Sequence, residues 1–317
     1  MRKIIIDTDT ATDDAIAIIM ALKCRDLDVV AVTTVAGNVD INLATTNALY
    51  TCELCGYKVP VYKGASGPLK RKLETSKFFH GKDGLGDTGP YKPKGKIRKT
   101  YAVDKIISLL KEYPNELEII AIGPLTNIAE VYKKDPEAFR LTKCLYVMGG
   151  IGEGKGNITE FAEFNFWVDP DAADIVLNSG IDIKVIAWDV TQIYGFLDKS
   201  NFIELQAINN KISNFAINIQ RRGLEYYKIK YNEHKIDLAD PLAMAVMIDE
   251  TGTYFKNCEV KIILNGDKRG RDTYNFIDSG KVKLATKVSR ENFLKILKSS
   301  LKSVSYTHLT LPTSYAG

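Results

Sequence analysis

An apolar segment near the start of the chain that ends in a group of carboxylates is the feature that most constrains the fold. The isoleucines at positions 4–6 suit a buried strand, and Asp7, Asp9, Asp13 and Asp14 follow within eight residues. An Ala- and Ile-rich segment of helical character begins directly after them. In an open α/β sheet, ligands bind where the carboxyl ends of strands meet the starts of helices. The pattern therefore predicts acidic side chains crowded at one edge of a crevice.

Four like charges this close together are unfavourable unless a positive group lies among them. Carboxylate oxygens suit a hard divalent cation such as Ca²⁺ or Mg²⁺. The alternative is an acidic turn in which Asp13 or Asp14 caps the following helix. Because capping explains one or two of the carboxylates and leaves the others without a role, we favour a cation site.

Apolar strands and helical segments alternate along the first two thirds of the chain. Strands are predicted at 27–35, 59–62, 117–122, 145–148 and 183–188, and helices at 41–54, 101–112 and from Pro170 onward, with Asp40 and Asp169 as caps. The second half is more helical, with a long helix over 201–231, a helix opened by Asp240-Pro241, late strands at 260–264 and 281–286, and a terminal helix over 290–301. This order predicts an α/β fold with a single doubly wound, mainly parallel sheet flanked by helices.

Composition and chain ends narrow the class of protein. A formal net charge of +4 over 317 residues, without a dense Lys/Arg run, argues against nucleic-acid binding. No apolar run reaches the roughly 18–20 residues of a membrane span. A strand that starts within three residues leaves no room for a secretory signal, and five cysteines are an odd number, so we expect a cytoplasmic protein. We expect one domain over 1–303 and a non-native tail over 304–317, because the Thr-rich tail resembles cloning read-through.

Residues 64–99 form a long segment rich in Gly, Pro and Lys. A segment of this length inside a compact domain is usually functional or mobile. It carries His80, followed by the glycine-flanked loop 81–86, which suits a lid over a site.

Five segments in order resemble the inosine–uridine-preferring nucleoside hydrolase family. They are the aspartate motif at 7–15, Thr34-Val35-Ala36-Gly37-Asn38, Gly123-Pro124-Leu125-Thr126-Asn127, the stretch from Asn157 through Ala162-Glu163-Phe164-Asn165, and Asp240-Pro241-Leu242-Ala243. The resemblance spans residues 1 to about 302 with the correct spacing. A lone D-x-D would be weak, whereas five ordered segments are specific.

The resemblance implies a Ca²⁺ ion held by Asp9, Asp14, Asp240 and the backbone carbonyl of Ile122, all of which supply oxygen ligands. It implies that Asp9 takes the proton of a cation-bound water that attacks the N-glycosidic bond of a ribonucleoside. It also implies a small-molecule nucleoside substrate and a homodimer or homotetramer. The ribose would be held by polar side chains that can pair with a vicinal diol, namely Asp13, Asn38, Asn157, Glu163, Asn165 and Asp240. The surrounding carboxylates would stabilise a transition state that resembles an oxocarbenium ion.

The chain departs from the family pattern at two places. Many members have a histidine before the aspartate that matches Asp240, as the acid for the leaving base, and this chain has Ala239. Many also have Pro-Gly where this chain has Thr10-Ala11. Replacement candidates for the acid are His80, the less favoured His234, or base stacking by an aromatic side chain from the group Tyr226, Tyr227 and Tyr231. The base preference stays open.

Two other functions are compatible with parts of the sequence. A phosphatase of the haloacid-dehalogenase type also begins with a strand and D-x-D, and Asp267 and Asp272 mimic its distal acids. That class expects Thr or Val at the position of Ala11, and it gives Asp13 and Asp14 no role. A non-catalytic nucleoside- or ribose-binding protein is the second alternative, motivated by Ala239.

Overall fold

The computed structural model describes residues 1–302 and forms one large sheet, a small hairpin and surrounding helices. The tail expected over 304–317, and with it the boundary at residue 303, lies outside the described residues. The strands are β1 Arg2–Thr8, β2 Leu27–Thr34, β3 Val61–Lys63, β4 Glu118–Ala121, β5 Cys144–Met148, β6 Ile183–Ile186, β7 Phe196–Asp198, β8 Lys235–Asp237, β9 Tyr254–Ile262, β10 Asp272–Phe276 and β11 Val282–Lys287. The helices are α1 Thr12–Lys23, α2 Ile41–Leu54, α3 Lys77–His80, α4 Ala102–Glu112, α5 Thr126–Lys134, α6 Pro136–Phe139, α7 Phe164–Val168, α8 Pro170–Leu177, α9 Trp188–Tyr194, α10 Lys199–Gln206, α11 Lys211–Asn218, α12 Arg221–Tyr231, α13 Ala239–Ile248 and α14 Arg290–Lys302.

The sheet has the order β10-β9-β11-β6-β5-β4-β1-β2-β3. Strands β1 to β6 and β11 pair in parallel, and β9 pairs antiparallel with both β10 and β11 at one edge. The chain runs from β1 outward to β3 and then returns to the other side of β1 with β4. The strand order therefore reverses beside β1, which is where such sheets bind ligands. The predicted mainly parallel α/β fold is confirmed.

Both faces of the sheet are covered, because successive side chains of a strand point to opposite faces. Ile4 and Ile6 of β1 join the core under α1, α2, α13 and α14, whereas Ile5 joins the core under α4, α5 and α8. A strand that is buried on both faces has apolar residues at consecutive positions, which explains the three isoleucines at the centre of β1. Burial on both sides fixes β1, and with it the acidic turn that follows.

Several predicted elements differ from the structure. The long helix expected over 201–231 is three helices, α10 to α12. The break between α10 and α11 arises because Asn209 has a left-handed backbone and the Asn210 side chain caps α11. The segment over 64–99 contains α3, and Leu85 inside the expected lid is fully buried. Helix α13 begins at Ala239, so Asp240 lies in its first turn instead of capping it.

Two features bear on the class of protein. Among residues 1–302, no helix is long and apolar enough to cross a membrane. The five cysteines form no disulfide with one another in the same part of the chain.

The predicted caps at Asp40 and Asp169 are confirmed, since each carboxylate accepts backbone N–H groups of the helix that follows.

Candidate active site

A cavity of about 340 Å³ opens at the carboxyl ends of the central strands. Its volume lies in the range of small-molecule pockets. Eleven of the residues predicted from the sequence line it, and they are Asp13, Asn38, His80, Ile122, Asn157, Glu163, Asn165, Tyr226, Tyr227, Tyr231 and Asp240. The predicted Asp9 and Asp14 are fully buried beside it and do not line the wall. The fold therefore gathers residues from seven separate parts of the chain around one space.

An acidic group lies at the edge of this cavity. Oxygen atoms of Asp13, Asp14 and Asp240 all lie within 4.8 Å of one another. Burial and the charge of Asp14 raise the pKa of Asp13 to about 7, and burial and the charge of Asp13 raise the pKa of Asp240 well above its usual value. Protons or a cation must offset such repulsion. The donors are oxygens alone, which fits a hard divalent cation.

Asp9 borders the acidic group and is tightly enclosed. Its Oδ2 accepts the Asn38 backbone N–H across 2.5 Å, and its Oδ1 has no hydrogen-bond partner in the described part of the chain. Burial and the charge of Asp14 raise its pKa well above the usual value. A Cβ at Gly37 would lie 2.1 Å from Oδ2, and one at Gly123 would lie 2.9 Å from Oδ1. Two glycines therefore create the space that Asp9 occupies.

The other two acids of the first motif have structural partners. Asp14 accepts the Thr8 hydroxyl across 2.6 Å and the Ala11 N–H across 2.9 Å, so it does help to cap α1. Asp7 accepts the Thr33 hydroxyl across 2.5 Å and the Asn127 amide across 2.8 Å, and these bonds tie β1 to β2 and α5. The bonds of Asp14 leave it within reach of Asp13 and Asp240, as a cation site requires.

Polar residues from the loop before α7 form another wall. Glu163 accepts the N–H groups of Gly150, Asn165 and Phe166 at 2.9 to 3.3 Å. Burial nevertheless raises its pKa to about 7. Asn165 donates to the Met148 carbonyl across 3.2 Å and to the Ile122 carbonyl across 3.5 Å. The geometry of this wall is therefore fixed by the backbone before any ligand arrives.

Asn157 and Asn38 complete the amide groups. The Asn157 Oδ1 accepts the Phe164 N–H across 2.9 Å. The Asn38 Oδ1 accepts the Ser76 hydroxyl, and its Nδ2 lies 3.5 Å from the Asp14 carboxylate. Because both Oδ1 atoms are already engaged, each amide is oriented with its NH₂ group as the remaining donor.

Aromatic side chains of α3 and α12 form the rest of the wall. His80 ends α3, is buried, and its Nδ1 lies 2.7 Å from the Thr12 hydroxyl. Burial lowers the pKa of His80 to about 3, so the ring is neutral near pH 7. Phe79 packs edge-on against Tyr226 and Tyr227 with centroids 5.4 and 6.1 Å apart. His234, the less favoured acid candidate, is exposed and does not line the cavity.

Several residues that line the cavity were not predicted from the sequence. Ser76 orients Asn38, Trp188 carries a buried Nε1 without a partner in residues 1–302, and Asp237 accepts the Tyr227 hydroxyl across 2.6 Å. Their signals were weak, because each lies in a segment without a recognisable motif. Trp188 does follow a buried strand, and that position alone could have identified it.

Asp272, which the phosphatase alternative needs as a distal acid, forms hydrogen bonds to the backbone instead. Its carboxylate accepts the Ile151 N–H across 2.9 Å and the Gly152 N–H across 3.2 Å, and it does not line the cavity. It therefore supports the loop that leads to Asn157. Gly152 has a backbone φ of +65°, a left-handed conformation that glycine adopts without steric cost.

Comparison with known proteins finds a matching family model and relatives over most of the chain. Residues 4–295 match the family model described as inosine-uridine preferring nucleoside hydrolase. A probable uridine nucleosidase 2 of Oryza sativa subsp. japonica is 36% identical over 273 residues, which cover 85% of this chain and 80% of that protein.

Two solved structures are similar over almost their whole length. A plant nucleoside hydrolase has a TM-score of 0.91 and 33% identity, covering 96% of this chain and 99% of its own. A purine-preferring ribonucleoside hydrolase from Gardnerella vaginalis has a TM-score of 0.89 and 31% identity, covering 95% of this chain and 98% of its own. The chain belongs to the inosine-uridine preferring nucleoside hydrolase family, and it is a hydrolase of N-glycosyl bonds.

Proposed function

We propose that this protein hydrolyses the N-glycosidic bond of ribonucleosides to ribose and free base, with Ca²⁺ as its metal. The observation that carries the proposal is the buried acidic group beside a cavity with oriented amides, in which oxygens of Asp9 and Asp13 have no partner within residues 1–302. A phosphatase does not account for that combination together with the family match, and release of ribose distinguishes hydrolysis from binding alone.

The residues that would hold the cation are Asp9, Asp14, Asp240 and the carbonyl of Ile122, with Asp13 close enough to Asp14 and Asp240 to contribute charge. When bound, the cation supplies Lewis acidity that makes a water molecule a better nucleophile. Asp9 accepts the proton of the attacking water through its unpartnered Oδ1. The carboxylates of Asp13 and Asp240 stabilise the positive charge that develops on the ribosyl group.

Ala239 cannot donate a proton, so the leaving base is assisted by His80 and the tyrosines on the cavity wall. His80 lines the cavity as a neutral imidazole, and its one N–H can hydrogen-bond the departing base. Tyr227 and Tyr231 line the same wall with centroids 5.3 Å apart and offer a stacking surface. We propose His80 as the donor and these tyrosines as the stacking groups.

The reaction is tested by incubating the purified chain with uridine and inosine and measuring reducing sugar. Free ribose is expected in Ca²⁺, little is expected in excess chelator, and re-addition of Ca²⁺ is expected to restore turnover, since the acids repel one another without a cation. A phosphoester assay under the same conditions is the matched control. Full activity in chelator with no metal by elemental analysis would contradict the Ca²⁺ requirement, and nucleoside binding without ribose release would contradict the reaction.

We also propose that residues 1–303 form one domain, that the protein is a homodimer or homotetramer, and that it works in the cytoplasm. Continuous packing of α14 against α1 and α13 supports a single domain. The absence of a disulfide among the five cysteines, all of which lie in residues 1–302, agrees with a reducing compartment. Light scattering at several protein concentrations tests the oligomeric state.

A further inference from the structure

Asp237 is a cavity-lining carboxylate that the reaction proposed above does not use. It ends β8, which pairs antiparallel with β7, and it lies three residues before Asp240. Its side chain is only 6% exposed, so the wall of the cavity holds it away from bulk solvent. A buried carboxylate requires donors for its oxygens.

One oxygen of Asp237 has a donor and the other does not. The Tyr227 hydroxyl donates to Oδ2 across 2.6 Å, whereas Oδ1 lacks a hydrogen-bond partner in the part of the chain that the structure describes. Burial raises the pKa of Asp237 to about 6, and the Tyr227 bond opposes that rise. The group is therefore mainly a carboxylate above pH 7. Such an acceptor is unfavourable unless a ligand supplies the missing donor.

The surroundings of Asp237 suit a planar heterocycle. Tyr227 packs against Tyr231 and Phe79 with centroids 5.3 and 6.1 Å apart, and all three line the cavity. Aromatic faces of this kind favour stacking with a planar ring. The one cation on the same strand, Lys235, already pairs with the Glu233 carboxylate at 3.2 Å. A ring N–H of a stacked base is thus the donor class that fits.

We propose that Asp237, oriented by Tyr227, accepts a ring N–H of the nucleobase and selects lactam bases such as uracil and hypoxanthine over cytosine and adenine. This inference rests on the proposed nucleoside hydrolysis and specifies its substrate class. Uracil N3 and hypoxanthine N1 carry a hydrogen, whereas the matching nitrogens of cytosine and adenine present a lone pair that the carboxylate repels. A hydrogen bond to a charged group changes affinity by about 10- to 100-fold, and loss of the donor leaves the buried acceptor unpaired.

The experiment measures kcat/KM for uridine, 3-methyluridine and cytidine with the wild-type protein and Asp237→Asn. The wild type is expected to favour uridine over both other nucleosides by at least about 10-fold. Asp237→Asn is expected to lower the uridine-to-cytidine ratio by about 10-fold or more, because its NH₂ group can donate to cytosine N3. The leaving group of p-nitrophenyl riboside has no ring N–H, so its hydrolysis should change by less than about 3-fold.

Glu225→Gln is the matched control, since it removes one negative charge from the exposed side of α12, where Glu225 pairs with Arg221 and does not line the cavity, and it should leave the uridine-to-cytidine ratio unchanged. Tyr227→Phe is the second variant, and it should lower the ratio while retaining the carboxylate. This variant decides the question if Asp237→Asn fails to fold by circular dichroism.

Each remaining outcome is decisive. Wild-type turnover of uridine with an unchanged ratio in Asp237→Asn and Tyr227→Phe overturns the inference and leaves the proposed hydrolysis intact. Equal losses on all substrates, including p-nitrophenyl riboside, also overturn it, because they indicate a structural role. Absence of ribose release from every nucleoside would instead contradict the proposed function.

Discussion

Asp9 combines complete burial with an oxygen that has no partner in the described chain. Its Oδ2 accepts the Asn38 N–H, whereas Oδ1 has no donor within residues 1–302 and can accept a proton. Asp9→Asn keeps the shape and removes that capacity. We expect kcat to fall by about 10²-fold or more with little loss of folding, as general-base catalysis contributes roughly 10²–10⁴-fold. Steady-state kinetics with saturating Ca²⁺ and circular dichroism provide the measurement.

Asp40→Asn is the control for this variant. It removes a carboxylate near the same loop, and asparagine is an equally good helix cap, so α2 should be unaffected. Retention of more than about a tenth of wild-type kcat by Asp9→Asn would contradict a role as general base.

His80→Ala separates assistance to the leaving base from positioning. His80 is buried and neutral, and its Nδ1 lies 2.7 Å from the Thr12 hydroxyl. In the tautomer in which Thr12 donates to Nδ1, the ring N–H is on Nε2 and is available as a donor to the base. Hydrolysis of inosine is expected to fall by at least about 10-fold, whereas p-nitrophenyl riboside, whose leaving group needs no proton, should be nearly unaffected. Rates on both substrates are compared at one pH. Equal losses on both substrates would indicate that His80 only positions the substrate. No loss on either would indicate that the tyrosines assist departure of the base.

Single residues were predictable from the sequence where a motif fixed their spacing. The motif at 157–165 identifies Asn157, Glu163 and Asn165, and all three line the cavity. Asp237 was missed because it lies in a three-residue strand whose pairing with β7 is not encoded locally. Only the tertiary contact with Tyr227 distinguishes it from an ordinary polar residue of a short hairpin.

At the scale of elements, the loop between β2 and α2 sets the space around Asp9. Gly37 has no Cβ, and an added one would lie 2.1 Å from the Asp9 carboxylate and 2.7 Å from Pro124. Gly37→Ala is therefore expected to displace Asp9, lower kcat/KM by about 10-fold or more, and reduce stability by roughly 1–3 kcal/mol through overpacking. Urea unfolding and nucleoside kinetics measure the two effects.

Gly67→Ala, in the segment between β3 and α3, is the matched control for Gly37→Ala. A Cβ at Gly67 meets only Leu73, at 3.9 Å, which is an ordinary contact. Activity and stability should therefore match the wild type. If Gly37→Ala also behaved like the wild type, the close contact between the loop and Asp9 would not govern the site.

The break between α10 and α11 shows what hydrophobic periodicity misses. The apolar pattern continues through 201–231 and predicts one helix. Asn209 adopts φ +46°, and Asn210 accepts the N–H groups of Ile212 and Ser213. Both are local effects of asparagine, which favours left-handed turns and helix caps. The Asn209-Asn210 pair could therefore have predicted this break from the sequence. Strand β10 could not be predicted in this way, because it depends on pairing with β9.

At the scale of the molecule, the site depends on the order of strands. Reversal beside β1 places the ends of β1 and β4 together, and the Ile122 N–H donates to the Asp7 carbonyl across 2.8 Å. Alternating strands and helices predicted the parallel sheet, because each crossover requires a helix. The order of the strands could not be predicted from composition. It depends on which face of the sheet each helix packs against.

The C-terminal end of the described structure allows a test of the expected tail. Leu297 and Leu301 of α14 are buried, and the Asn210 amide donates to the Leu301 carbonyl across 2.8 Å. Within residues 1–302, the packing of α14 therefore continues to its last turn. We expect deletion of 304–317 to leave kcat/KM unchanged and to shift the melting temperature by less than about 2 °C, as a domain of this size changes by roughly 2–4 °C per kcal/mol.

Truncation after residue 296 is the contrasting variant. It removes both buried leucines of α14, and loss of one such side chain typically costs about 2–5 kcal/mol. We therefore expect a melting temperature lower by at least about 5 °C, or an insoluble product. Both truncations are compared with the full chain by differential scanning fluorimetry in the same Ca²⁺ buffer. A comparable loss from deletion of 304–317 alone would show that the tail is part of the fold, because no side chain of α14 is removed by that deletion.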